Sequence, residues 1–75
     1  MKAKEYLERL RLEQRQRYNA LGQLFISNIT LATNHDAVLS DEQQQIVDAA
    51  IRESLAGSAN SDAIIKIATY INTCK

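Results

Sequence analysis

No proline interrupts the 75 residues of this chain, and only two glycines, Gly22 and Gly57, loosen it. Proline and glycine are the strongest local breakers of regular helix. The rest is rich in Leu, Ala, Gln, Glu and Arg, which enter helices with little loss of side-chain freedom. The sequence therefore predicts an all-α fold.

Length narrows the choice further. A chain this short makes one domain, residues 1–75, and hides only about 60% of the surface its unfolded form exposes. Folds of this size usually carry a staple: disulfides, a metal or a second copy of themselves. One cysteine, Cys74, and one histidine, His35, make neither an intrachain disulfide nor a zinc site. No metal and no cofactor are expected, and self-association or partner binding becomes the expected support. A lone thiol fits a reducing cytoplasm. No run approaches the roughly 18 apolar residues of a membrane span. The charged stretch from Lys2 to Arg17 argues against a signal peptide. A cytoplasmic protein without membrane attachment is the expectation.

Formal charge sums to zero but is unevenly spread. Residues 2–17 carry Lys2, Lys4, Arg9, Arg11, Arg15 and Arg17 against Glu5, Glu8 and Glu13, a net of +3. The remainder is acidic by the same amount, −3. Such polarity serves either a basic face for an acidic partner or internal attraction between the two halves.

Three helices are expected, over about 3–33, 41–56 and 61–73. In the first, Leu7, Leu10, Leu21, Leu24 and Phe25 share one broad sector, with Gln14 and Arg17 as polar interruptions. Glu5 with Arg9 and Glu13 with Arg17 stand at i, i+4 in the favourable order. Asn19 and Gly22 are candidates for a kink, and one long helix is favoured over two short ones. A polar connector, Thr33 to Asp36, follows. The second helix starts at a capping box, Ser40 with Gln43, with Asp41 and Glu42 in the first turn and Leu39 as a staple. Its stripe is Ile46, Val47, Ala50, Ile51 and Leu55, and Gly57 is the expected C′ residue. After a turn at Ser58 to Asn60, Ser61 is the expected cap of a third helix that packs through Ile64, Ile65, Ile67, Ala68 and Ile71.

Chemistry is sparse. Catalysis needs a nucleophile, an acid/base group or a metal in a concave site. His35 lies in a polar loop, Cys74 sits by an end expected to fray, and two isolated glycines build no phosphate loop. No catalytic residue is assigned and no enzyme is expected.

Two surfaces are candidates for contact. Lys4, Arg11 and Arg15 project within about 40° of one another on an uninterrupted first helix, fit to grip phosphates or an acidic protein. Glu8 beside them and the neutral whole argue against unaided DNA reading. The second candidate is apolar. Leu21, Leu24, Phe25 and Ile29 belong to a stretch, Leu21 to Ala32, that crowds more than one helix face. Three short helices cannot cover all of it, and a two-fold interface of first helices is the simplest closure. A helical homodimer is expected.

The run from Asp41 to Ile51, followed by Leu55, Gly57, Ala63 to Ile67 and Ile71, resembles the small enterobacterial YmgB/AriR family across about residues 39–73. The family's packing residues map onto Ile46, Val47, Ala50, Ile51, Leu55, Ile64, Ile65 and Ile67. The resemblance implies a helical dimer that modulates biofilm formation, acid resistance and stress signalling through contact with a protein regulator, with DNA binding also suggested. A fainter likeness joins Tyr6 to Arg11 and Leu39-Ser40-Asp41 to the Hha nucleoid modulators. The leading expectation is a regulatory adaptor that binds another protein. The alternatives are a nucleoid-associated modulator touching DNA or a DNA-bound protein, and a phage- or plasmid-borne inhibitor of a host enzyme.

Overall fold

The computed structural model describes residues 1–13, 15, 19–57 and 59–74. Among them lie four helices: α1 (Ala3–Glu13), α2 (Ala20–Ala32), α3 (Asp41–Gly57) and α4 (Ser61–Asn72). The expected long N-terminal helix is thus two. Asn19 is the reason on the α2 side. Its backbone is extended, and its side-chain oxygen accepts the Gly22 N–H at 2.9 Å, which starts a new helix. Tertiary packing is the other reason. One helix over residues 3–33 would run about 46 Å, whereas the subunit is 29 Å in its longest dimension. Breaking the segment lets α1 fold back onto α2. The expected interruptions Gln14 and Arg17, and the Glu13–Arg17 pair, lie outside the described residues.

The helices close around one core. α2 packs against α1 and α4, and α4 also packs against α3. Leu7, Ile26, Ile29, Leu39, Val47, Ile51 and Ile71 are fully buried. The radius of gyration is 11.0 Å, against about 11 Å for an ordinary globule of this length. α1 contributes Ala3, Leu7 and Leu10, an i, i+4, i+7 stripe. Its tie to α3 is the Tyr6 hydroxyl, which donates to the Gln44 carbonyl at 3.0 Å. Ahead of α1 the backbone pairs with the α2–α3 connector: Ala3 N donates to Ala37 O (2.9 Å) and Leu39 N to Met1 O (2.8 Å). This isolated bridge seats Leu39 in the core.

Local chemistry sets the remaining ends. The capping box forms reciprocally: Gln43 N donates to Ser40 Oγ (3.2 Å) and Ser40 N to Gln43 Oε1 (2.8 Å). Asn60, rather than Ser61, caps α4, its side chain accepting the Ala63 N–H at 3.0 Å. Gly57 is the last residue of α3 and has no positive φ, so it does not act as a left-handed C′ residue. Ser58, in the expected turn, lies outside the described residues. Arg9 pairs forward with Glu13 (3.4 Å) rather than back with Glu5.

The C-terminal end of α2 depends on α4. Asn72 Nδ2 donates to the Ala32 carbonyl (3.1 Å), and its oxygen accepts the Asn34 N–H (2.8 Å). One amide thereby satisfies an orphan carbonyl of one helix from the end of another. Cys74, expected at a fraying end, is buried instead, its thiol directed at the Tyr70 carbonyl at 3.4 Å. Among the described residues no helix is long and apolar enough to cross a membrane.

Candidate functional site

The structure divides the expected basic trio. Lys4 and Arg11 share a face of α1, but Arg15 falls beyond its end at Glu13. The projection that grouped all three assumed continuous helix. Arg11, half-buried, donates to Glu8 Oε1 at 2.5 Å, so part of its charge is answered within the helix.

The apolar set divides as well. Phe25 and Ile29 are 4% and 0% exposed, inside this subunit's own core, which corrects their expected place in an intersubunit seam. They fall on the α2 face that meets α1 and α4, together with Gly22 and Ile26. Leu21 and Leu24 stand outside, 66% and 57% exposed, and Leu31 joins them at 80%. α2 carries no charged residue along its 13 positions. It thus has a buried face and, beside it, a second apolar face turned to solvent. A shallow depression opens there, lined by Leu21, Leu24, Phe25 and Asn28 of α2 with Ala59 and Ile64.

A second apolar surface lies between α3 and α4. Ile46, Val47, Ala50, Ile67 and Tyr70 line a groove of about 160 Å³ with Lys66 on its wall. Towards the α3–α4 turn the groove widens and becomes more polar, passing Glu53, Ser54, Asn60 and Asp62. Ile46 is 47% exposed at one side. Tyr70 is half-buried, and its hydroxyl pKa is raised above the usual phenol value, first by desolvation and then by the charges of Cys74 and Glu42.

Other polar groups are dispersed. His35 is exposed in the α2–α3 turn. Asp48 pairs with Arg52 through one oxygen at 2.6 Å, while its Oδ1 is buried without a hydrogen-bond partner among the described residues. No group of three or more His, Cys, Asp or Glu among the described residues is placed to hold a metal ion.

Compared with known proteins, the chain matches no family model, no curated protein and no solved structure. Of the eight packing residues singled out over residues 39–73, Val47, Ile51 and Ile67 are buried, Ala50, Leu55 and Ile64 are half-buried, and Ile46 and Ile65 are exposed. Sequence reasoning missed the groove because it assigned the whole α3 stripe to the core. The pairing of Ile46 with Val47 was the available signal, since adjacent residues lie about 100° apart and cannot both face one neighbour squarely.

Proposed function

We propose that this chain is a non-catalytic interaction module, a small regulatory adaptor that binds another protein. The observation that carries the reading is the apolar groove between α3 and α4, left open by a core that is already closed. Its dimensions suit one or two aliphatic side chains of a partner's amphipathic helix laid between α3 and α4. Lys66 on the wall, with Glu53 and Asp62 farther along, would orient the polar flank of such a helix. Likeness to the biofilm and acid-resistance regulators over residues 39–73 supports a role in transcription or stress signalling through contact with another regulator.

The test is capture with the full chain immobilised, wild type against Ile46→Glu. Ile46 lies half outside the core, so the variant is expected to keep its melting temperature and to lose a retained protein. Equal retention by both chains would remove the groove from the reading.

A further inference from the structure

We infer that the exposed face of α2 docks a second copy of this chain, with the two α2 helices side by side and parallel about a two-fold axis. The inference rests on reading the uncovered apolar side chains as contact surface, and it names the partner that this one fits.

The argument begins with spacing. Leu21, Leu24, Asn28 and Leu31 follow one another by three, four and three residues. That is an a, d, a, d seam running the length of the helix. All four lie on the side of α2 away from its buried residues, and the three leucines leave about two whole leucine residues' worth of surface uncovered per copy. The depression beside them has a specific form. Its α2 wall is Leu21, Leu24, Phe25 and Asn28, the positions i, i+3, i+4 and i+7. These are the positions that form a hole for one side chain of a facing helix, here with Ala59 and Ile64 as the far wall and with Phe25 presenting only the edge of a side chain that lies in the core. In a parallel, in-register pair the side chain opposite this hole is the partner copy's leucine at the d position, Leu24. Each copy thus offers both knob and hole, as an isologous contact requires.

Composition favours a like partner. A two-fold axis brings every group near its own equivalent, so a charged seam would repel itself. α2 has no charge to repel. Leucine fills both d positions, as it does in two-stranded parallel seams, and a single asparagine at an a position sets register in such pairs. Asn28 holds that position, half-buried, and can face its equivalent amide across the axis. A seam of 13 residues is short. With about two leucine residues' worth of surface per copy it falls below the standard size of specific interfaces and belongs with weak, transient ones, so the pair is concentration-dependent and separates on dilution.

Sedimentation of the full chain from about 10 μM to about 1 mM, the range of a weak interface, is expected to show monomer passing to dimer. Leu31→Glu, at a residue 80% exposed, should weaken association at least about tenfold while circular dichroism and melting stay unchanged. Asn28→Asp should do the same at neutral pH through like charge across the axis. With Cys74 replaced by alanine, Leu31→Cys should form an intersubunit disulfide, because parallel pairing puts the two d positions together. A chain monomeric at the highest concentration, or a dimer indifferent to Leu31→Glu, overturns the inference. A dimer in which Leu31→Cys does not cross-link overturns the parallel arrangement. Sedimentation reads the α2 seam and capture on Ile46→Glu reads the α3–α4 groove, so the two proposals fail separately.

Discussion

α2 and α3 both bury a stripe in the same core, yet their outer faces are unlike. α3 buries Val47 and Ile51 and covers most of the rest with Asp41, Glu42, Gln45, Asp48, Arg52 and Glu53. α2 buries Gly22, Phe25, Ile26 and Ile29, and turns Leu21, Leu24 and Leu31 outwards with no charge among them. Water satisfies the outside of α3 except at Ile46 and the groove beside it. The outside of α2 gains from being covered. The inner face of a helix therefore reports on the fold, and the outer face reports on what the fold meets.

The comparison breaks most sharply at its buried residues. Ile29→Ala in α2 and Ile51→Ala in α3 should each cost about 2–5 kcal/mol in urea unfolding, because both side chains are fully enclosed. A much smaller loss at Ile29 would mean that α2 is held less firmly than α3. Next comes Asn72→Ala, which removes the two hydrogen bonds joining α4 to the end of α2. Its expected cost is about 1–2 kcal/mol, with hydrogen exchange accelerated first in the last turn of α2. Ser40→Ala should lower stability by about 1 kcal/mol through loss of the α3 capping box, leaving α2 exchange unaltered.

Smaller effects sharpen the contrast. Leu31→Gln should move stability by no more than about 0.5 kcal/mol, while Ile51→Gln should unfold the chain. Tyr70 supplies a pH signature at the α3–α4 groove. Its raised pKa means that the folded state holds the phenol proton more tightly than the unfolded state does. That contribution is full below the unfolded value of about 10 and is lost as pH rises through it towards the folded value. Tyr70→Phe should flatten the fall in urea midpoint above about pH 10, and an unchanged slope would assign that fall to other groups.

Much of the fold was legible in the residues. Ser40 and Gln43 announced α3, and the Ile-rich run after Asn60 announced α4, because capping and periodicity act within one helical turn. The break before α2 was only half legible. Asn19 marked the place, but an asparagine reads equally as a polar interruption until a neighbour is there to fold back upon. The candidate surfaces were harder. Leu21, Leu24, Phe25 and Ile29 lie close together on the helical wheel, and which side of that arc faces inwards depends on where α1 and α4 sit.

By itself, the sequence determined that the chain would be helical, that α3 would begin at Ser40, and that its apolar content would exceed what one small core encloses. Those follow from torsional preferences, local hydrogen bonds and composition, which need no distant partner. Tertiary structure alone decided that residues 3–33 would break into two helices, that Phe25 and Ile29 would go inwards while Leu21, Leu24 and Leu31 stayed out, and that Asn72 would finish α2 from 40 residues away. Burial is a property of which helix faces meet, and no single helix contains that information.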